Sequence, residues 1–457
     1  MTFAQLFDLA FGNIGRFFKE IAFKKEERGK LSYGLVGTLI LVLTYGLIML
    51  FSASYSTGYY RFKGDIYHFI RPQVILAVVG LVLMYLISNI NYRSLRHMNW
   101  YLYILTLLLL VWALFSEPYN GCYRWVYMFG TTLQPSELAK MAVIIAVSFI
   151  LSKRQDEEGA NPKAFKYIMI LTGLVFILIA PENLSTAMLL FGVVCMMMFI
   201  GRVSAKKLFG MLGLLALVGG VAVGILMAIP AKTLHNTPGL HRFETWQNRV
   251  SGFFDKEEVP AAKFDIDKDA QIAHARIAIA TSHVVGKGPG NSIQRDFLSQ
   301  AFSDFIFAIV VEEMGLIGGI FVVFLYLWLL MRAGRIAQKC ERTFPAFLVM
   351  GIALLLVSQA ILNMMVAVGL FPVTGQPLPL VSKGGTSTLI NCAYIGMILS
   401  VSRYTAHLEE QKEHDAQLQL QIETNAADSE AQAAAEPTAQ ILNSDAKFED
   451  ENDINKG

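Results

Sequence analysis

The chain is 457 residues long, 54% hydrophobic and only 16% charged, with a mean hydropathy of +0.47 and a formal net charge of +2. Soluble globular chains are about 25% charged. There are too few charges here to cover the two to four water-soluble domains that such a length would otherwise suggest, so the composition is that of an integral membrane protein.

A helix needs about 20 mostly apolar residues to cross a bilayer. Ten stretches qualify, at about 32–52, 71–89, 99–116, 137–152, 167–180, 184–201, 208–230, 304–331, 345–370 and 386–403. The expected fold class is all-α, with about ten transmembrane helices. The stretches 137–152 and 167–180 are short for an untilted span, but dropping either would leave strongly apolar loops in water. The runs are continuously apolar rather than alternating, which argues against a β-barrel. Residues 1–31 are basic and partly amphipathic, without the apolar core or the Ala-x-Ala site of a cleavable signal.

Lysine and arginine near span ends set sidedness. Arg16, Lys19, Lys24, Lys25, Arg28 and Lys30 precede the first span. Alternate loops then carry Arg93 and Arg96, Lys153 and Arg154, Arg202 with Lys206 and Lys207, and Arg332 with Arg335. This pattern places both termini in the cytoplasm and the long loop 231–303, between spans 7 and 8, outside. Two amphipathic stretches in that loop, Phe243–Phe254 and Gln271–Val284, suit a membrane surface. The tail Tyr404–Gly457 holds 13 Asp or Glu against 3 Lys. Its first part, through about Ile422, continues the last helix, and the remainder reads as disordered. The near-neutral total therefore combines a basic membrane domain with an acidic tail. Cys122, Cys195, Cys340 and Cys392 show neither pairing nor CxxC spacing, and His235 and His241 lack a third ligand, so no metal site is expected from spacing.

Ionisable residues near or inside spans are functional candidates, because burying charge in lipid is costly. Four clusters stand out. In Gly121-Cys-Tyr-Arg124-Trp125 and Gln134-Pro-Ser-Glu137-Leu-Ala-Lys140, Pro135 suits the first turn of a helix. Glu137 and Lys140 then share a helix face. They are either an ion pair within the bundle or part of a cationic pocket for an anionic lipid headgroup. Pro181-Glu182-Asn-Leu-Ser-Thr186 is a tight outer hairpin, a simple turn or a site carrying Glu182.

The third cluster joins Gly286-Lys-Gly-Pro-Gly290-Asn-Ser-Ile-Gln294 to Ser303-Asp304-Phe-Ile-Phe-Ala308 and Glu312-Glu313-Met-Gly315. No Gly-Lys-Ser/Thr closes these glycines, so they form an outer turn rather than a Walker loop. Asp304 falls at the outer interface as a helix N-cap, a general base, or both. An unbroken helix would put Glu312 about 12 Å deeper. The fourth cluster, Gly375-Gln-Pro-Leu-Pro-Leu-Val-Ser382-Lys383-Gly-Gly-Thr386-Ser387, is non-helical and dips toward a span. It is either a plain re-entrant turn or an anion site built on Lys383 and free N–H groups. Asp265-Ile-Asp267-Lys-Asp269 starts like a calcium loop, but Ala270 and Arg276 stand where Gly and Glu are needed.

Over about residues 32–403 these motifs, in this order, resemble the SEDS family (shape, elongation, division and sporulation). That family comprises ten-span proteins that polymerise the glycan strands of bacterial peptidoglycan. The resemblance rests on Arg124-Trp125, Gln134-Pro-Ser-Glu137-x-x-Lys140, Asp304-Phe-Ile-Phe-Ala-x-x-x-Glu312-Glu-x-Gly and Pro377-Leu-Pro-x-x-Ser382-x-Gly-Gly. Gly288-Pro-Gly-Asn-Ser-Ile-Gln294 resembles the division branch more than the elongation branch.

The resemblance implies lipid II as substrate and undecaprenyl diphosphate as leaving group, with inversion at the anomeric carbon and Asp304 as the base. Arg124, Lys140 and Lys383 become candidates for meeting the diphosphate, with room for a divalent ion such as Mg2+ or Mn2+. Gln134, Glu137, Glu182, Glu312 and Ser382 become candidates for shaping the substrate site. It also implies a bacterial cytoplasmic-membrane protein enriched at the septum, with a class B penicillin-binding transpeptidase (FtsI-like) as partner and no nucleic acid. A lipid II flippase and a division scaffold are the competing functions. The chain departs from the family pattern at Glu182 (usually Asp), Ser185 (usually Gly), Phe302 (usually His) and Lys383 (usually Tyr).

Overall fold

The structure, a computed structural model, describes residues 29–116, 123–128, 131–156, 159–229, 246–247, 266–298 and 301–454. All ten predicted stretches fall on helices. These are α1 (Tyr33–Arg61), α2 (Ile70–Ser88), α3 (Tyr92–Phe115), α4 (Pro135–Lys153), α5 (Pro162–Ile179), α6 (Leu184–Ile200) and α7 (Ala205–Ala228), followed by α9 (Ile306–Gln338), α10 (Thr343–Ala367) and α11 (Thr386–Ile454). A further helix, α8 (Ile266–Ala280), lies in the long loop. Among the described residues eight helices are long and apolar enough to cross a membrane, and α6 is a shorter apolar helix of 17 residues. The tenth stretch is the apolar start of α11. The two short predictions resolve into helices of 19 and 18 residues, each close to 30 Å of rise. The chain is a multi-pass, all-α membrane protein. Its described strands are two small hairpins, Val126–Met128 with Thr131–Leu133 and Gln155–Asp156 with Gly159–Ala160.

Local signals set the helix starts. Pro135 occupies the first turn of α4 behind an extended Gln134. Asn161 and Asn183 cap α5 and α6 by accepting from the N–H groups of Lys163 and Thr186. Each cap satisfies one of the donors that a helix start leaves free. Helix α4 is the centre of the bundle: 78% of its most apolar window is buried, against 6% for α7 at the edge. It packs against α3, α10 and α6, and α10 in turn packs against α9. Buried faces such as Ala139, Val143, Ala146 and Val147 on α4 meet Leu348, Ile352 and Leu355 on α10 in one continuous core.

Helix α9 is not continuous. Gly315 breaks it with φ 70° and ψ −170°, leaving Ile306–Met314 as a separate piece before the longer run to Gln338. The glycine-rich loop repairs the break. The N–H groups of Leu316 and Ile317 donate to the carbonyls of His283 and Val284, while those of Lys287 and Gly288 donate to the carbonyls of Glu312 and Glu313. Buried backbone groups need such partners. The break falls after Glu312, which stays on the helical piece Ile306–Met314.

Two other expectations change. Phe243–Phe254 lies outside the described residues except for Trp246 and Gln247. Gln271–Val284 largely becomes α8, whose Ala275 and Ala278 are fully buried as it packs on α9, so part of its inner face meets protein. The tail, expected to lose order after about Ile422, continues as helix to Ile454. The helix is pinned near its exit by ion pairs of Lys30 with Glu410, Lys339 with Glu409 and Lys412 with Glu341.

Candidate active site

The non-helical segment 370–385 organises the site. Irregular backbone at membrane depth needs protein around it, and Leu378, Leu380, Val381 and Ser382 are all nearly inaccessible. Gly46 of α1 lets the backbone at Leu380 and Val381 approach closely, since a β-carbon there would press on both. On the other side the Tyr326 hydroxyl donates to the carbonyl of Pro379.

Asp304 is half-buried in the turn that precedes α9. Phe305, not Asp304, occupies the cap position, and no side chain caps the helix. The N-cap reading is therefore corrected. Ser303 Oγ donates to Asp304 Oδ1 at 3.0 Å. Asn363 of α10 donates to the Asp304 carbonyl at 2.8 Å and, also at 2.8 Å, to the carbonyl of Gln376. One amide thus ties the Asp304 turn to the 370–385 segment. A β-carbon on Gly375 would stand 3.7 Å from Asp304 Oδ2. The carboxylate faces bare backbone where the segment passes, and Gly375 holds the left-handed φ of 65° that suits glycine.

Beside this point opens a cavity of about 530 Å³. Its walls are Met188, Gly192 and Met196 of α6 and Ile361 and Leu362 of α10, and Val373 and Thr374 close the side next to Gly375. Arg124 and Glu182 stand among these apolar walls as its charged residues. Glu182 Oε2 accepts from the N–H of Tyr123 at 3.1 Å. Arg124 Nε is buried with no hydrogen-bond partner among the described residues, as is Thr374 Oγ1. An apolar pocket with a few polar groups at one end suits an amphiphile with an anionic head.

The other predicted residues separate from this pair. Lys140 is fully buried; it pairs with Glu137 at 2.8 Å and donates to Gln359 Oε1 at 3.1 Å. The bundle ion pair is the reading the structure supports, so Lys140 is corrected from diphosphate ligand to internal partner. Glu137 belongs to the same pair. Gln359 donates onward to the Pro377 carbonyl at 3.1 Å. Gln134 donates to Ser136 Oγ at the start of α4.

Glu312 is also corrected. It is fully buried and clasps the glycine-rich loop, taking Lys287 Nζ at 2.6 Å, Ser292 Oγ at 2.5 Å and the N–H groups of Ile293 and Gln294. Its neighbour Glu313 takes Ser52 Oγ of α1 at 2.5 Å and lies 3.9 Å from Arg295. Ser382 is a buried staple, donating to the Ser303 carbonyl at 2.6 Å and accepting from the N–H of Leu378 at 2.8 Å. The Lys383 ammonium sits over the rings of Phe69 and Phe302.

Sequence reasoning missed Asn363, Gln359 and Gln376. Gln359 and Asn363 are four apart on α10, a polar stripe on an otherwise apolar span, and that spacing is the signal that finds them. Gln376 donates to Thr186 Oγ1 at 2.7 Å and joins the α6 hairpin to the same network. No three His, Cys, Asp or Glu side chains come together as a metal site among the described residues.

Comparison with known proteins agrees with this architecture. The chain is 31% identical over 368 residues to a probable peptidoglycan glycosyltransferase FtsW of Geobacter sp. (strain M18), covering 79% of this chain and 94% of that protein. It is 31% identical over 381 residues to the stage V sporulation protein E of Bacillus subtilis (strain 168), covering 82% and 97%. Among solved structures, a chain of a peptidoglycan synthase complex that coordinates polymerization and crosslinking superposes with a TM-score of 0.65 at 25% identity, covering 82% of this chain and 98% of that one. The rod shape determining protein RodA of Thermus thermophilus superposes with a TM-score of 0.57 at 24% identity, covering 82% and 97%, and shows the same fold. The model of the FtsW/RodA/SpoVE cell cycle proteins matches residues 33–407, and the chain belongs to that family.

Proposed function

We propose that this chain is a peptidoglycan glycosyltransferase that polymerises lipid II into glycan strands, in the division branch of its family. The observation that carries the reading is Asp304, half-buried and held by Ser303 and Asn363, facing the bare backbone of Gly375 beside an apolar cavity that contains Arg124. The cavity suits a polyprenyl chain and Arg124 suits the diphosphate. The acceptor sugar hydroxyl attacks the anomeric carbon of the growing chain and Asp304 takes the hydroxyl proton. The bond to undecaprenyl diphosphate breaks with inversion, and the departing charge is met by Arg124. The division assignment is supported by the relatives named FtsW and by the resemblance of Gly288-Pro-Gly-Asn-Ser-Ile-Gln294 to the division branch.

The lysine and arginine pattern supports cytoplasmic termini, and a division polymerase belongs at the septum of the cytoplasmic membrane. The complex among the structural neighbours supports a transpeptidase partner for this chain. The test is a lipid II polymerisation assay on purified protein, alone and with its transpeptidase. The wild type makes glycan strands. Asp304→Ala folds, because the backbone carbonyl bound by Asn363 remains, but makes none. Wild-type polymerisation by that variant would remove Asp304 as the base. Transbilayer movement of lipid II without strand synthesis would make the protein a flippase.

A further inference from the structure

We infer that Lys383 is a positioning residue for Asp304, acting through an aromatic clamp on the turn that carries the carboxylate; this rests on the glycosyltransferase reading above. The Lys383 Nζ lies 4.3 Å from the ring centroid of Phe69 and 5.2 Å from that of Phe302, and the two rings are 4.8 Å apart. An ammonium over aromatic faces is attracted by their negative quadrupoles, most strongly where water is thin. Lys383 is half-buried, which strengthens that attraction.

The same residue also holds the turn through its backbone. The Lys383 N–H donates to the Phe302 carbonyl at 2.9 Å, while Ser382 Oγ takes the next carbonyl, that of Ser303. Consecutive residues of the 370–385 segment thus grip consecutive residues immediately before Asp304. The ammonium adds a third grip on the Phe302 side chain and extends it to Phe69, the cap residue of α2. Three segments distant in sequence meet at one cation. The Phe302 ring is thus held from two sides, by the Phe69 ring and by the Lys383 ammonium.

The test uses full-length protein in lipid nanodiscs, with lipid II polymerisation and amide hydrogen exchange read on the same samples. Lys383→Met is expected to lower kcat about ten-fold, the effect of losing a desolvated cation–π contact, with KM within about two-fold. Exchange should rise in peptides covering 301–305. Lys383→Arg keeps the cation and should restore both readouts. Phe302→Leu, which removes the ring and keeps the backbone carbonyl that Lys383 binds, should lower kcat and raise exchange as Lys383→Met does. A wild-type kcat with unchanged exchange in Lys383→Met would overturn the clamp. So would a rise in KM at constant kcat, which would make the ammonium a direct substrate contact. Failure of the wild type to polymerise would overturn the proposed function instead, and the exchange arm would still decide the clamp.

Discussion

Gly286 and Gly315 cross backbone to backbone. A β-carbon on Gly286 would collide with the carbonyl of Glu313 and the N–H of Gly315, and one on Gly315 would collide with the carbonyl of Val284. Both glycines have positive φ, 82° and 70°. The crossing is where the outer loop plugs the break in α9.

Gly315→Ala and Gly286→Ala are each expected to destabilise the protein by at least about 2 kcal/mol, from the left-handed backbone alone, with the collision adding to it. Gly334→Ala is the control: it lies on the same helix with open space around it and should be neutral or stabilising by about 1 kcal/mol. Thermal unfolding in detergent reads all three. Equal melting temperatures for Gly315→Ala and Gly334→Ala would contradict the crossing.

The buried pair of Glu137 and Lys140 makes a different prediction. Removing one member leaves a charge without its partner in the bundle, at a cost of roughly 3–5 kcal/mol. Lys140→Met should therefore lower the melting temperature sharply. Glu137→Leu combined with Lys140→Met should regain most of the loss, because both charges go together. If Lys140 instead met the diphosphate, Lys140→Met would keep its stability and lose polymerisation, and the two measurements separate these outcomes.

The helices were readable because crossing a bilayer imposes a long apolar run, and each run became a helix. Asp304 stands out in the sequence because a carboxylate next to an apolar span is costly, while its role as the base comes from the resemblance. What could not be read was contact between distant segments. Nothing local says that Gly375 passes beside Asp304 or that Asn363 joins their turns. The partners of Glu312 were hidden for the same reason, since Lys287, Ser292, Ile293 and Gln294 reach it from a separate loop. Lys140 was assigned outward by its span position, while its burial depends on α10 supplying Gln359.

Asn363 tests the missed network directly. Its side chain donates to two carbonyls, those of Asp304 and Gln376. Asn363→Asp keeps the shape, removes the donor and sets a carboxylate against both oxygens. Polymerisation should fall at least ten-fold, with a stability loss of about 1–3 kcal/mol for the carbonyls left unsatisfied. Gln359→Leu, one turn away, breaks the contact with Lys140 instead and should cost stability more than turnover. A variant pair with the opposite ranking, read by melting temperature and strand length, would place the Asp304 support elsewhere.

The cavity wall offers the most direct test of what occupies it. Gly192 lines the cavity from α6, and a β-carbon there would meet nothing within 4 Å. Gly192→Leu therefore adds a side chain to empty space. On the helix it should be stabilising by about 1 kcal/mol, since glycine is the poorer helix former, so a folding defect is not expected. If the cavity holds the polyprenyl chain of lipid II, the added volume competes with it. The apparent KM for lipid II should rise about ten-fold or more, with Asp304 and its turn untouched. A shorter-chain lipid II analogue, needing less of the cavity, should be affected less. Equal KM values for Gly192→Leu and wild type with the full-length lipid would move the polyprenyl chain out of this cavity, leaving Arg124 without the anion that its position there is assigned to meet.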